Sequence, residues 1–126
     1  MASILAVDDS YSMRQAVALT LEASGHKVVL AEDGLTALAL ARAQRFDLVL
    51  TDLVMPHMDG ITLVAELRKI PEFQHIPLLM LTTQNSVEQK IAGKRAGATG
   101  WIVKPVNPNQ LLEVIEHTLG QSQALV

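Results

Sequence analysis

The chain of 126 residues contains no cysteine. This absence excludes disulfides, thiolate catalysis and zinc–sulfur sites, and it is in keeping with a reducing compartment. Aromatic residues make up only 3% of the sequence, and no apolar run approaches the roughly 20 residues that a membrane-spanning helix needs. No basic residue precedes Arg14, so a signal for export is not expected. We therefore expect a cytoplasmic protein that does not insert into a membrane.

Excess positive charge is also lacking, since the formal net charge is −3. Nothing in the bulk charge favours a nucleic acid as partner. The hydrophobic content of 49% and the charged content of 18% are those of an ordinary globular protein. A chain of this length forms one core and leaves too little for a second one. We expect a single domain over residues 1–126, without an output domain, and a monomer.

Five short apolar runs alternate with stretches of helical length. Continuous apolar runs of this kind suit strands that are covered on both faces, as in a parallel sheet. The runs are Ile4–Val7, Val28–Ala31, Leu48–Thr51, Leu78–Leu81 and Trp101–Val103. Right-handed crossovers would place the helices on both faces of one sheet. The sequence thus predicts a doubly wound α/β fold of the (βα)₅ type, with five parallel strands.

One stretch of helical length has little apolar surface. From Gln84 to Ala96 its only large apolar residues are Val87 and Ile91. Because so thin a stripe buries little area, this helix should be the most loosely docked. It is either an exposed, solvated helix or a mobile element that faces a partner, and the sequence leaves both open.

Polar side chains follow four of the predicted strands. Asp8 and Asp9 follow the first, Asp52 the third, Thr82 the fourth, and Lys104 the fifth. Ligands of open α/β sheets bind beyond the carboxyl ends of the strands. Carboxylates that converge there repel one another unless a cation neutralises them, and a set of oxygen ligands favours Mg²⁺. An aspartate can also act as a nucleophile towards phosphorus, with the ammonium and the hydroxyl meeting the developing charge.

Each of these residues alone has an ordinary explanation. Asp8 and Asp9 could favour a helix N-terminus through its dipole, and Asp52 could be a turn residue. Lys104 could be a solvated loop cation, and Thr82 an ordinary strand residue. Their joint occurrence at strand ends, in this order, favours a phosphoryl-transfer site.

The chain resembles the response-regulator receiver family over nearly its whole length. The matching segments are VDDS (7–10), TDLVMPHMDG (51–60), MLTT (80–83) and GWIVKPV (100–106). Length and the expected lack of an output domain make it similar to the single-domain chemotaxis members. The resemblance implies a flavodoxin-like sheet of order 2-1-3-4-5. It also implies a two-component response regulator that takes its phosphoryl group from a histidine kinase.

The resemblance assigns roles to the acidic residues. Asp52 would be phosphorylated, and Asp9 and Asp52 would bind Mg²⁺ directly. Asp8 would act partly through water, and the backbone carbonyl of Val54 would complete the protein ligands. Mg²⁺ is thus the expected cofactor.

Other residues would carry the switch. Thr82 would bond to the phosphoryl group, Lys104 would pair with its oxygens, and a cis peptide bond would precede Pro105. Trp101 stands where the family usually has a switching tyrosine or phenylalanine. It is either a core aromatic or a switch that turns inward with Thr82.

The expected partner surface comprises the fourth helix, the fifth strand and the fifth helix. Lys90, Lys94, Trp101 and Val106 would contribute to it, and the target would be a protein such as the flagellar motor switch. Lys90 and Lys94 form either a solvated basic face or a surface that steers an acidic partner segment. A phosphatase as a further partner is left open.

Two positions bear on the lifetime of the phosphoryl group. Val54 and Gln84 lie two residues after Asp52 and Thr82, where the resemblance implies tuning of dephosphorylation. Val54 cannot hydrogen-bond an attacking water, so we predict intermediate or slow loss of phosphate.

The sequence has further interpretations besides this one. A phosphate sink or relay in another two-component pathway keeps the chemistry and changes the role. A phosphatase with an aspartyl-phosphate nucleophile would want a second aspartate where Val54 stands, and a nucleotide carrier would want a glycine-rich motif that is missing. The four histidines have no paired metal spacing and are expected at the surface; they are His26, His57, His75 and His117.

Overall fold

The computed structural model describes residues 1–124, with side chains described as far as residue 120. Strands and helices alternate along it. The strands are β1 (Ser3–Val7), β2 (Lys27–Ala31), β3 (Leu48–Thr51), β4 (Leu78–Thr82) and β5 (Gly100–Val103). The helices are α1 (Tyr11–Glu22), α2 (Gly34–Ala43), α3 (Gly60–Leu67), α4 (Val87–Ala96) and α5 (Pro108–Ala124), and a 3₁₀ turn covers Pro71–Phe73. None of the helices in this part of the chain has both the length and the apolar character needed to cross a bilayer.

The five strands form one sheet of order β2-β1-β3-β4-β5, and all neighbours are parallel. The predicted (βα)₅ fold and the strand order implied by the resemblance are confirmed. Val7 pairs with Thr51 and Thr82 pairs with Val103, so these strands end together. The residues that follow them therefore meet at one edge of the sheet.

Each face of the sheet is covered by helices. Leu5 and Val7 point to the face under α2 and α3, whereas Ile4 and Ala6 point to the face under α1 and α5. Because both faces are buried, both sets of alternating side chains must be apolar, which explains the continuous runs in the sequence.

Side chains cap the starts of the five helices. Each cap accepts a hydrogen bond from the backbone N–H three residues on, which typically stabilises a helix by about 1 kcal/mol. The caps are Ser10, Asp33, Asp59, Ser86 and Asn107. The cap at Ser86 makes α4 begin at Val87, so the predicted start at Gln84 is three residues too early.

Helix α4 is thinly packed, as predicted. Gly93 is its one buried residue, and Val87 and Ile91 are 67% and 46% exposed. Gly97 ends the helix in the left-handed conformation, with φ of 117°. Few contacts thus fix α4 on the body of the domain.

The expectation of surface histidines is wrong for His26, which is only 7% exposed. Its Nδ1 accepts a hydrogen bond from the Ala2 N–H at 3.1 Å, and its Nε2 lies 2.8 Å from Glu116 Oε1 on α5. These two partners replace water, so the imidazole is buried without loss of hydrogen bonds. The other three histidines are exposed.

Candidate functional site

The sheet ladder places the predicted site residues directly after the strand ends. The N–H of Asp52 donates to the Val7 carbonyl at 2.9 Å, and the N–H of Asp8 donates to the Ala31 carbonyl at 3.1 Å. The N–H of Lys104 likewise donates to the Thr82 carbonyl at 2.9 Å. The backbone therefore holds these side chains on one edge of the sheet.

Lys104 lies between two carboxylates. Its Nζ is 2.8 Å from Asp8 Oδ2 and 2.8 Å from Asp52 Oδ2, and the three side chains are 16%, 8% and 12% exposed. Burial by itself lowers the pKa of Lys104, but the hydrogen bonds to Asp52 and Asp8 outweigh it and raise that pKa above its ordinary value. The site thus holds a fixed positive charge against Asp52.

Asp8, Asp9 and Asp52 form the acidic cluster. One carboxylate oxygen of each lies within 4.8 Å of the others, and Asp9 is exposed to solvent. Both inner carboxylates also accept a backbone hydrogen bond: Asp8 Oδ1 accepts from the Ser10 N–H and Asp52 Oδ1 from the Leu53 N–H. The three carboxylates and the Lys104 ammonium together carry a formal charge of −2, which one Mg²⁺ would neutralise. The donor set therefore fits Mg²⁺.

Two further residues complete the edge. Thr82 is fully buried at the end of β4, and its Oγ1 accepts from the Gln84 N–H at 3.2 Å. Its hydroxyl hydrogen remains free to donate elsewhere. Val54 lies in the loop after Asp52, and the residue is 59% exposed.

Trp101 is partly buried on the α2–α3–α4 side of the sheet. Its indole N–H donates to the carbonyl oxygen of Gln84 at 2.8 Å. The residue Gln84 therefore bonds to Thr82 through its N–H and to Trp101 through its carbonyl. One residue thus connects the site edge to the tryptophan.

Two of the residues expected on the partner surface, Lys90 and Lys94, lie close to Trp101, whereas Val106 packs on the other face of the sheet. Lys90 and Lys94 are exposed on α4 and, with Trp101, line an open cavity of about 220 Å³. Val106 is partly buried against the α1–α5 side of the core. The peptide bond between Lys104 and Pro105 is cis.

Two residues beside the site were not predicted from the sequence to belong to it. A Cβ added to Gly60 would collide with the Asp52 carbonyl oxygen, so a glycine is required where α3 starts against the site. The signal for it in the sequence is the Asp59-Gly60 pair, which by itself indicates only a turn or a helix boundary. Arg14 donates from Nη1 to the Asp8 carbonyl oxygen at 2.8 Å, and no local pattern in the sequence indicates this contact.

A parallel α/β sheet with an acidic cluster and a lysine at its carboxyl edge is the arrangement that the resemblance to receiver domains implied. The response regulator receiver domain family matches residues 4–116. The chain belongs to this family.

Curated and solved relatives agree with this assignment. Protein PilH of Pseudomonas aeruginosa is 40% identical over 119 residues, which cover 94% of this chain and 98% of PilH. The crystal structure of chemotaxis protein CheY4 of Vibrio cholerae superposes with a TM-score of 0.91 at 47% identity, covering 94% of this chain and 98% of CheY4.

A third relative bears on the metal. The receiver domain of the Pseudomonas aeruginosa sensor histidine kinase PA1611 has a magnesium ion coordinated in its active-site cleft. It is 26% identical, with a TM-score of 0.87, and the match covers 94% of this chain and 98% of that domain. Together these relatives place the chain among receivers similar to the single-domain CheY proteins.

Proposed function

We propose that the protein is a two-component response regulator that accepts a phosphoryl group on Asp52 from a phosphohistidine of its kinase. The position of the Asp52 carboxylate carries this proposal. It lies 2.8 Å from the Lys104 ammonium, and one of its oxygens is within 4.8 Å of oxygens of Asp8 and Asp9. An acidic nucleophile between a fixed cation and a cation-binding cluster is suited to phosphoryl transfer.

The transfer step is a displacement at phosphorus. A carboxylate oxygen of Asp52 forms a bond to phosphorus while the bond from phosphorus to the imidazole nitrogen of the kinase breaks, and the electron pair leaves with the imidazole. Asp8, Asp9, Asp52 and the backbone carbonyl of Val54 would hold Mg²⁺, which supplies charge neutralisation at the phosphoryl oxygens. Lys104, already at hydrogen-bond distance from Asp52, would then pair with one of these oxygens.

Thr82 and Trp101 would pass the change to the partner surface. When the Thr82 hydroxyl donates to a phosphoryl oxygen, its bond to the Gln84 N–H shifts, and Gln84 also holds the indole of Trp101. A coupling of about 1–3 kcal/mol between phosphate and target, which is typical of such switches, changes target affinity about 5- to 150-fold.

Intact-mass spectrometry tests the chemistry. The protein is incubated with acetyl phosphate, with and without Mg²⁺, beside Asp52→Asn and Asp59→Asn. Asp59 caps α3 and asparagine caps equally well, so this variant controls for loss of a nearby carboxylate. A labile, Mg²⁺-dependent adduct in the wild type and in Asp59→Asn, but not in Asp52→Asn, supports the proposal. No adduct under any condition contradicts it.

The target we propose is a motor-switch protein, by analogy with the chemotaxis relative. The exposed Lys90 and Lys94 beside the Trp101 cavity support a target segment with acidic residues. Binding of the N-terminal peptide of a motor switch is measured with the phosphorylated and unphosphorylated protein. Phosphate-dependent binding supports a motor regulator, whereas phosphorylation without binding favours a sink or relay receiver.

A further inference from the structure

Arg68, directly after α3, uses all five of its N–H donors. Nε and Nη2 donate to the Gly97 carbonyl oxygen at 3.0 and 2.7 Å, and Nη1 donates to the carbonyls of Phe73 and Ile76 at 2.7 Å each. Nη2 also donates to Thr99 Oγ1 at 3.3 Å. Every acceptor is a carbonyl or a hydroxyl, and no ion pair of Arg68 with a carboxylate occurs within the described residues. A guanidinium bonded in this way fixes the backbone segments that carry its acceptors, and it does not neutralise a carboxylate.

The acceptors belong to two separate connections, the one between α3 and β4 and the one between α4 and β5. Arg68 itself ends α3, Phe73 and Ile76 precede β4, and Gly97 ends α4. Thr99, just before β5, also accepts a hydrogen bond on Oγ1 from the N–H of Leu78 at 3.0 Å. The side chain of Arg68 therefore joins the ends of two helices to the starts of two strands.

Gly97 fits Arg68 closely. Its φ of 117° already requires glycine, and a Cβ there would come within 2.7 Å of Arg68 Cγ. The carboxyl end of α4 is thus seated directly on the side chain of Arg68.

In the described part of the chain, α4 is also attached through Trp101. Gly93 lies against Trp101, and the indole bonds to Gln84 just before the helix. Val87 and Ile91, towards the amino end of α4, are largely exposed. Among the described residues, only the attachment through Trp101 is connected with Thr82 by hydrogen bonds, and Arg68 makes no hydrogen bond to the acidic cluster.

We infer that Arg68 is a positioning residue that fixes the carboxyl end of α4, so that phosphorylation moves the amino-terminal half of the helix about Gly97. The inference rests on the proposed function and adds the pivot of the partner surface. The helix is held at one end by bonds that the site does not reach. A rearrangement of Gln84 therefore tilts α4 and does not release it.

Amide exchange measured residue by residue by NMR tests the pivot in the wild type first. With acetyl phosphate and Mg²⁺, we expect the exchange of residues 87–91 to change, while residues 97–99 keep their protection. A change at 97–99 as large as that at 87–91 overturns the inference. This comparison needs no variant, so it decides the question even if an Arg68 variant does not fold.

Arg68→Lys tests the anchor, since lysine keeps the charge but cannot span the same acceptors. We expect the protection of residues 97–99 to fall about tenfold more than that of β1 even without phosphate, as for a local opening. The fluorescence response of Trp101 to phosphorylation should shrink, while phosphoryl uptake by mass stays unchanged. Arg45→Lys, at an exposed position, is the matched control and should behave as the wild type.

Two results separate this inference from the proposed function. If protection from exchange falls no more at residues 97–99 than in β1 in Arg68→Lys, then Arg68 does not anchor α4. This result holds whether or not Asp52 is phosphorylated. Failure of the wild type to form an adduct removes the proposed function, while lost protection at 97–99 in Arg68→Lys would still support the anchor.

Discussion

Gly93 on α4 lies directly against the six-membered ring of Trp101. A Cβ added to Gly93 would come within 2.8 Å of Trp101 Cζ3, closer than real side chains approach. Since Trp101 also bonds to Gln84, this contact fixes the tryptophan between the middle of α4 and the loop before it. The small residue at 93 therefore sets how the sole tryptophan can lie.

Gly93→Ala should displace Trp101. The added methyl group forces the ring away and weakens its bond to Gln84, which should destabilise the protein by about 1–3 kcal/mol despite the higher helix propensity of alanine. Urea unfolding and the emission maximum of Trp101 measure both effects. Gly120→Ala is the control, because a Cβ there meets no atom of the described residues within 4 Å. An unshifted emission maximum in Gly93→Ala would show that the ring tolerates the methyl group.

Removing the ammonium at Lys104 should make stability depend strongly on Mg²⁺. Without metal, Lys104→Met leaves Asp8 and Asp52 buried without their cation, at an expected cost of about 3 kcal/mol. Because Mg²⁺ and the ammonium neutralise the same carboxylates, added Mg²⁺ should restore more stability to the variant than to the wild type. Thermal unfolding with MgCl₂ or EDTA measures this difference.

The control for this prediction is Lys69→Met. Lys69 pairs with Glu66 at the surface, with side chains 74% and 31% exposed, and such pairs contribute about 0–1 kcal/mol. A Mg²⁺ response of Lys104→Met no larger than that of Lys69→Met would count against metal binding at the cluster.

Asp33 should give stability that is lost in acid. Its carboxylate accepts from the Thr36 N–H at 2.7 Å, and this bond lowers the pKa of Asp33 from 3.8. Because the pKa of Asp33 is lower in the folded protein than in the unfolded chain, its ionised carboxylate stabilises the fold at pH values above the unfolded pKa. This stability is lost as the pH falls through the folded pKa. Asparagine caps without titrating, so Asp33→Asn should match the wild type near pH 7 and lose less stability below about pH 4. Urea unfolding between pH 3 and pH 7 tests this, and parallel curves would refute it.

Val54→Asn should shorten the life of the phosphoryl group. Val54 is 59% exposed beside the site and offers no hydrogen bond to water. An amide there can orient the attacking water, so we expect dephosphorylation to accelerate several-fold. The decay of the adduct is followed by mass spectrometry after acetyl phosphate is removed. A Val54→Asn adduct that decays no faster than the wild-type adduct would contradict the predicted slow loss.

The sequence was informative where one strand could be interpreted by itself. Apolar runs such as Leu48–Thr51 marked buried strands, and the residue after each run marked the edge of the sheet. Parallel pairing then places Asp8 and Asp52 together, because the ladder fixes where each strand ends. Both steps follow from regular backbone geometry.

What the sequence could not predict depends on contacts between distant segments. Arg68 meets Gly97 29 residues away, and His26 meets Glu116 90 residues away. Neither contact repeats with a helical or strand period, so no local pattern indicates it. The lack of space for a side chain at Gly60 likewise depends on how closely α3 approaches the Asp52 carbonyl.

The packing of α5 has a consequence for synthesis of the protein on the ribosome. Leu111, Ile115 and Leu119 complete the apolar layer over Ile4 and Leu48, which were made about a hundred residues and about sixty residues earlier. At about 5–20 residues per second, the 17 residues of α5 take roughly one to three seconds to translate. During that time one face of the sheet has α1 but not its second covering helix. A nascent chain stalled before α5 should therefore be a substrate for chaperones that bind exposed apolar strands.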